Sequence, residues 1–189
     1  SEQKMLDDAV NITISKEGIT EHSIDLYVGG DLNNQLACTN YMLKKYAFPY
    51  LGVYAACSTL TESMLVASSF IDSKYGNYIL ASASSHNATS ERQFRYPTEY
   101  GGQKPSSLTS TATGCGVALI SSIPSYIKIT KATIGRVVES NITDAQDLGR
   151  AMAPACCETL RNHLYDFAVD PNEYDLILIR LAANRQIPM

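Results

Sequence analysis

The sequence predicts an α/β fold in which helices cover both faces of a mostly parallel sheet. Three observations lead to this prediction. Short apolar segments bounded by turn residues recur along the chain, as strands do. Segments with apolar residues at three- and four-residue spacings alternate with them, as amphipathic helices do. In addition, 45% of the 189 residues are hydrophobic and 18% are charged, which is typical of a globular protein with a substantial core.

The first half of the chain alternates helices and strands in parallel βαβ units. In chain order we predict a helix ending near Gly18, a strand over 24–28, a helix over 35–46, a strand over 49–56, a helix from Thr59 to about Tyr75 and a strand over 78–83. Thr59-x-x-Glu62 is typical of a capping box at a helix start.

The second half begins with a segment, 84–110, in which the hydrophobic periodicity disappears. So long an irregular segment in a compact domain is usually functional. A strand is predicted over 116–120. Residues 127–138 alternate apolar and basic side chains and predict an antiparallel hairpin at a sheet edge, which makes the sheet mixed. The last predicted elements are a helix capped by Thr143-x-x-Gln146, kinked at Pro154 and ending near Phe167, and a strand over 174–179.

Charge and cysteine usage exclude several classes of protein. The net charge is −4 and the longest basic run is Lys44-Lys45, so a nucleic-acid binder is not expected. No signal peptide or transmembrane segment is predicted. The five cysteines show no disulfide or zinc spacing, so reduced thiols and no metal site are expected. Gly114-x-Gly116 opens a strand rather than a helix, which argues against a dinucleotide site.

Cys57 is the strongest candidate for a functional residue, because it lies where a predicted buried strand meets a capped helix. Backbone N–H groups and the helix dipole at such a position favour a thiolate, and the same donors can hold a ligand carboxylate. The alternative is that Cys57 only packs, as free cysteines commonly do. The other four cysteines are expected to be structural.

Polar residues also follow the first and third predicted strands, at the sheet edge where open α/β folds collect ligands. Asp31 follows the first strand, and Ser85, His86 and Asn87 follow the third. His86 is the best acid–base candidate. Its alternative role is that of a loop histidine hydrogen-bonded to backbone, and His22 and His163 are both expected to lie at the surface.

The stretch from Glu91 to Lys104 combines Arg92 and Arg95 with three aromatic residues. Guanidinium groups suit bidentate recognition of carboxylates, and aromatic faces suit a flat ring. An interface loop that pairs these arginines with a partner's acidic residues is the equal alternative.

Several strings of residues resemble a known family. Ala56-Cys57-Ser58 at a strand-to-helix junction, followed by Gly114-x-Gly116 opening a later strand, is similar to the N-terminal half of the thiolase and ketoacyl synthase superfamily. Within it, the chain resembles the stage V sporulation protein AD family from about Leu6 to Ile179. The strings that carry this resemblance are Gly30-Asp31-Leu32-x-Asn34-Gln35, Ala56-Cys57-Ser58-Thr59, the long string from Ser84 to Pro105, and Ala151-Met152-Ala153-Pro154-Ala155.

The resemblance implies a thiolase-like fold, with a mixed sheet of five-stranded type forming one half of an αβαβα architecture. It implies one N-terminal half domain over 1–189, truncated at both ends. It further implies a protein of endospore formers that binds dipicolinic acid without a cofactor. The implied partners are membrane proteins of the same spore transport system and a second copy of the chain, on the cytoplasmic side or peripheral at the spore inner membrane.

Three hypotheses about function follow. The first is dipicolinate binding, with ligand contacts from Asp31, Cys57, Ser85, His86, Asn87, Arg92 and Arg95. The second is an acyltransferase with Cys57 as nucleophile; the resemblance implies catalytic His and Asn partners in a C-terminal half that this sequence lacks, so an enzyme is the less favoured hypothesis. The third is a fragment whose role is limited to protein–protein interaction and which would dimerise or aggregate through its sheet edge.

Overall fold

A computed structural model describes residues 1–94, 110–144 and 147–179. The chain divides into two compact units, Ser1–Lys128 and Ile129–Met189. The first unit contains the sheet, and in its described part helices and strands alternate. Their bounds are α1 (Glu2–Glu17), β1 (Leu26–Asp31), α2 (Ala37–Leu43), β2 (Tyr50–Gly52), α3 (Thr59–Asp72), β3 (Tyr78–Ser85), α4 (Asn87–Phe94) and β4 (Gly114–Ser121).

The described strands form one mixed sheet in the order β2-β1-β3-β4. β1 pairs in parallel with β2 and β3, and β4 runs antiparallel to β3. The mixed α/β sheet is therefore as predicted, although four strands are described rather than five. Because the parallel strands end together, their carboxyl ends and the amino end of β4 share one edge, which we call the carboxyl edge.

The sheet is covered on both faces, as predicted. On one face Tyr27 and Leu80 are fully buried among side chains of α1 and α2. On the other face Val28 and Ile79 are fully buried in a cluster that includes Ala67 of α3. Successive residues of β1 and β3 thus point to opposite faces, and each large apolar side chain so buried stabilises the fold by about 1.5–3 kcal/mol.

Most predicted elements of the first unit are confirmed. α1 ends at Gly18, whose φ of 65° is the left-handed conformation that glycine favours after a helix. α3 begins at Thr59 as predicted, but the capping box is wrong. Ser58 precedes the helix without a side-chain cap, and the Thr59 hydroxyl donates to the Ala56 carbonyl instead.

The expectation of an irregular segment over 84–110 is corrected in its first part, because α4 occupies Asn87–Phe94. Asn, Thr and Ser side chains compete with backbone hydrogen bonding, so the first half of this helix gives little local helix signal. The expected strand over 116–120 is confirmed and is longer, spanning β4.

In the second unit, α5 spans Leu148–Asp166 and contains Pro154. Its N-cap is Asp147, whose carboxylate accepts from the Arg150 N–H, so the predicted cap at Thr143 is wrong. His163 is half-buried rather than a surface residue. Its ring nitrogens lie 2.8 Å from the Thr133 hydroxyl and 2.7 Å from the Tyr174 hydroxyl.

Two predicted strands of this second half of the chain are wrong. Residues 127–138 form no hairpin and residues 174–179 form no strand. Several of their apolar side chains, including Ile127, Val137 and Leu178, are largely exposed. A β-type sequence becomes a strand only where another strand satisfies its backbone groups, and no such partner lies among the described residues.

Candidate functional site

The carboxyl edge brings together most of the residues that the sequence singled out. Asp31 ends β1, Ser85 ends β3 and His86 follows it, and Cys57 follows β2. Because β1 lies between β2 and β3, Cys57 and His86 follow strands two spacings apart, or about 10 Å. Among the described residues, no hydrogen bond joins the two side chains.

Cys57 lies on a tight elbow between β2 and α3. The turn Ala56–Ser58 is a single 3₁₀ turn, and Ala56 has a φ of 47°, a left-handed conformation that costs a residue with a Cβ about 1–2 kcal/mol. Thr59 Oγ1 accepts from the Ala55 N–H at 3.2 Å, and Ser58 Oγ donates to the Ala55 carbonyl at 2.8 Å. These contacts hold the Cys57 thiol exposed at the start of α3.

Gly30 of β1 packs directly against this elbow. A Cβ added there would lie 2.1 Å from the Val53 carbonyl oxygen and 3.2 Å from Thr59 Cγ2. It would also lie 2.9 Å from a methyl carbon of Leu36. Only a residue without a side chain lets the elbow approach the central strand this closely.

Asp31 is buried and its carboxylate caps α2. Oδ2 accepts from the Cys38 N–H at 2.7 Å, and Oδ1 accepts from the Thr39 N–H at 3.0 Å and the Thr39 hydroxyl at 2.5 Å. A carboxylate at a helix start satisfies N–H groups that have no partner within the helix. The geometry assigns Asp31 a clear structural role, and its contact with a ligand stays a prediction.

Four side chains, Glu2, Asp31, Cys38 and Ser84, form a group that we call the Glu2 cluster. Ser84 Oγ lies 2.9 Å from Glu2 Oε1 and 3.3 Å from Asp31 Oδ1. A ligand-type atom of each of Glu2, Asp31 and Cys38 lies within 4.8 Å of the other two. Such atoms are also used by metal sites, but α2 and Ser84 already engage both Asp31 oxygens, so we interpret the group as a hydrogen-bonded cluster.

Burial dominates the electrostatics of this cluster. It raises the pKa of Glu2, and the negative charge of Asp31 raises it further, against the hydrogen bond from Ser84. Burial also raises the pKa of the Cys38 thiol to about 12. Both groups therefore favour their neutral forms more than they do in water.

Ser85 and Asn87 fasten the carboxyl end of β3 to residues 111–113. Ser85 Oγ donates to the Ala112 carbonyl at 2.6 Å, and Asn87 Nδ2 donates to the Thr111 carbonyl at 2.7 Å. The Asn87 N–H donates to Thr113 Oγ1 at 2.9 Å. Their polar atoms thus shape the edge, while their predicted ligand contacts are not tested.

His86 is half-buried immediately before α4. Its Nδ1 accepts from the Ala88 N–H at 3.3 Å, which leaves Nε2 as the protonated nitrogen of the neutral ring. The expectation that backbone would bind this ring is met. Among the described residues Nε2 has no hydrogen-bond partner, so its N–H can donate to an acceptor on a ligand.

Of the two arginines predicted to bind carboxylates, one lies among the described residues and the other does not. Arg92 lies in the last turn of α4 and is exposed. Arg95 lies outside the described residues, as does most of the loop that follows it. Glu91, one residue before Arg92, accepts from the N–H and hydroxyl of Thr111 at 2.7 and 3.0 Å and so helps to anchor α4.

Sequence reasoning missed three residues of this edge, namely Glu2, Ser84 and Glu91. Ser84 and Glu91 lie within the long string that resembles the family, but nothing in it assigned them a role, and Glu2 is 82 residues from the serine that it contacts. The one available signal was the position of Glu2 in the first turn of a predicted helix, where an acidic residue is common for a different reason.

Comparison with known proteins gives a consistent result at the level of sequence. The model of the family described as stage V sporulation protein AD matches residues 1–180. The chain is also 48% identical over 178 residues to the stage V sporulation protein AD of Bacillus subtilis (strain 168). That alignment covers 94% of this chain and 53% of the relative, so the chain spans about half the length of the curated protein it matches.

Solved structures share the fold of this chain. The chain is similar to the 3-oxoacyl-[acyl-carrier-protein] synthase III of Aquifex aeolicus VF5, with a TM-score of 0.67 and 18% identity over 92% of this chain and 59% of that one. It is also similar to Xanthomonas campestris OleA, solved with bound lauric acid and lauroyl-CoA, with a TM-score of 0.66, 15% identity and the same coverage. At these identities the similarity establishes the thiolase-like fold alone.

None of the helices in the described ranges is both long enough and apolar enough to cross a bilayer.

Proposed function

Because the chain belongs to the stage V sporulation protein AD family, we propose that it acts in sporulation as the dipicolinic acid binding component of a spore transport system. The observation that carries this proposal is the carboxyl edge, where the exposed Cys57 elbow and the half-buried His86 both follow the carboxyl ends of parallel strands. Open α/β sheets collect ligands at this edge.

The chemistry of the edge suits a small planar dianion. The first N–H groups of α3, at the Cys57 elbow, attract a carboxylate. The His86 Nε2–H donates a hydrogen bond, and the exposed guanidinium of Arg92 suits a second carboxylate. In this proposal Asp31, Ser85 and Asn87 keep the edge in shape, and Arg95 remains a candidate contact.

The proposed partners are membrane proteins of the same transport system and a second copy of the chain. The proposed location is the cytoplasmic side of the spore inner membrane, to which the chain would be peripheral. Co-purification of the chain with those membrane proteins from sporulating cells, and light scattering at several concentrations, test these two partner proposals.

Calorimetric titration of dipicolinate into the folded 189-residue chain tests the binding proposal. We expect saturable binding that His86→Ala weakens about tenfold or more, because a charge-assisted hydrogen bond contributes about 1.5–3 kcal/mol. His22→Ala is the matched control, because His22 is exposed and lies in a turn before β1. A folded chain that releases no heat with dipicolinate contradicts the proposal for this chain.

A second candidate, acyl transfer to Cys57, is favoured by the exposure of that thiol on its elbow. Against it, His86 Nδ1 already accepts from the Ala88 N–H, and among the described residues no hydrogen bond joins His86 to Cys57. Intact mass spectrometry after incubation with acyl-CoA distinguishes the candidates. An adduct that Cys57→Ala abolishes supports acyl transfer, and an unmodified chain eliminates it.

A further inference from the structure

Two carboxyl groups of the Glu2 cluster share one hydrogen-bond donor. The Ser84 hydroxyl lies within hydrogen-bond distance of Glu2 Oε1 and of Asp31 Oδ1, but it has a single proton to donate. Oxygens of the two carboxyl groups lie within 4.8 Å of each other, so two ionised carboxylates at this place would repel. Since the two acids lie in a partly buried site, the simplest solution is that one of them binds a proton from solvent.

Glu2 is the acid that takes up this proton. Asp31 accepts three further hydrogen bonds from α2, which stabilise its ionised form. Among the described residues, the one hydrogen bond that reaches the Glu2 carboxyl group comes from Ser84 Oγ, at 2.9 Å. Burial and the Asp31 charge raise the pKa of Glu2, in agreement with this assignment.

The other titratable groups facing Glu2 come from each neighbouring element. Asp31 lies on β1, Cys38 on α2, Cys115 on β4 and His86 directly after β3. His86 is the one whose charge opposes the shift, because an imidazolium favours the ionised carboxylate.

On its own helix, Glu2 is followed by Lys4 and Asp8. These two pair with each other at 3.1 Å, so their charges largely offset each other near Glu2.

We propose that Glu2 regulates the carboxyl edge as a proton-binding group, so that the strand-end site takes up a proton when it binds a dianion. This inference rests on the proposed function. With Glu2 neutral the cluster carries one negative charge, and with Glu2 ionised it carries two. A dianion bound beside His86 adds negative charge to the same edge and strengthens the hold of Glu2 on its proton.

The sign of the pH dependence follows from reciprocity between the two binding events. If a bound dianion favours protonated Glu2, protonated Glu2 favours the dianion by the same factor. Affinity should therefore be highest below the folded-state pKa of Glu2 and fall as pH rises through it. The same proton stabilises the folded chain at low pH, and that stabilisation is lost as pH rises through the same range.

The experiment measures dipicolinate affinity by calorimetry between about pH 5 and pH 8 for the 189-residue chain, Glu2→Gln and the control Glu17→Gln. Glu17 lies on the same helix and is exposed. We expect the affinity of the unsubstituted chain and of Glu17→Gln to fall about fivefold or more across this range. Glu2→Gln should lose much of that dependence and bind more tightly than the unsubstituted chain at the alkaline end.

A second measurement on the chain without ligand does not depend on binding. With ¹³C-labelled glutamate, the carboxyl signal absent from Glu2→Gln is that of Glu2, and it should titrate above the ordinary value of 4.5. Titration at that value overturns the proposal. An identical pH dependence of binding in Glu2→Gln and the unsubstituted chain also overturns the proposal about Glu2. That result does not contradict the proposed function. No binding by the folded unsubstituted chain at any pH overturns the proposed function, and the coupling with it.

Discussion

The ends of β1 and β2 are neighbours in the sheet but differ in what surrounds them. At the end of β1, Asp31 is 3% exposed and every oxygen of its carboxylate accepts hydrogen bonds. At the end of β2, the Cys57 thiol is exposed on an elbow whose hydrogen bonds are made by the residues beside it. Two polar residues that follow neighbouring strands at the same edge therefore have different roles.

This contrast teaches that the strand-end position alone does not identify a ligand contact. A side chain whose polar atoms are engaged by the protein stabilises the edge, and one that is exposed and supported by its neighbours is available for chemistry. The same distinction separates Ser85 and Asn87, which bind residues 111–113, from the His86 Nε2–H, which has no partner in the part of the chain that the structure describes.

The largest expected difference between the two strand ends is thiol reactivity. Cys38, whose backbone N–H donates to the Asp31 carboxylate, is 7% exposed. Burial raises the pKa of its thiol to about 12, so about one molecule in 10⁴ carries the thiolate at pH 8. We expect iodoacetamide to label Cys57 at least about 1000-fold faster than Cys38. Peptide mass spectrometry over time measures both rates, with the exposed Cys157 as internal reference. Equal rates would remove the contrast.

Asp31→Ala should produce the largest loss of stability. It leaves the N–H groups of Cys38 and Thr39 and the Thr39 hydroxyl without their acceptor, and we expect the free energy of unfolding to fall by about 4 kcal/mol. Denaturant titration measures this loss. Asp8→Ala, which removes an exposed acid paired with Lys4, should cost less than about 1 kcal/mol. Similar losses in the two variants would contradict the structural role of Asp31.

Gly30→Ala should lower the free energy of unfolding by about 3 kcal/mol, because its Cβ would meet the Val53 carbonyl and push the elbow away from β1. Gly114→Ala is the matched control, since nothing lies within 4 Å of an added Cβ at that position. Thermal unfolding of both variants checks the prediction. An unchanged midpoint for Gly30→Ala would mean that the elbow does not rest on β1.

Cys57→Ser should have the smallest effect on stability, within about 0.5 kcal/mol, because the thiol is exposed and the elbow is held by other residues. Its denaturation midpoint should match that of the unsubstituted chain. A loss as large as that of Gly30→Ala would show that the thiol packs, the alternative that sequence reasoning left open.

The sequence predicted the first unit well because its elements are specified locally. α1 and α3 follow from apolar spacing, and the short apolar segments of β1 and β3 are bounded by turn residues. The same reasoning failed for residues 127–138 and 174–179, since a strand depends on a partner that its own residues do not specify. These two segments have no such partner among the described residues, so they form no strand although their sequences favour one.

The candidate site was predicted in part. The elbow at Cys57 and the position of His86 followed from the order of elements, because the carboxyl ends of parallel strands share an edge. The roles of Asp31, Ser85 and Asn87 did not, since each is decided by residues distant in the chain, such as Thr111 for Asn87. α4 was missed because its start is fixed by contacts with residues 111–113 rather than by local propensity.

By itself the sequence determined the family, the alternation of helices and strands, and the tight junction at Cys57, because all three are expressed in neighbouring residues. The tertiary structure alone decided which polar side chains are occupied and which remain available. It brought Glu2 to Ser84 across 82 residues and Asp31 to Ser84 across 53. Hydrogen bonding and burial depend on distance in space, and separation along the chain does not reveal it.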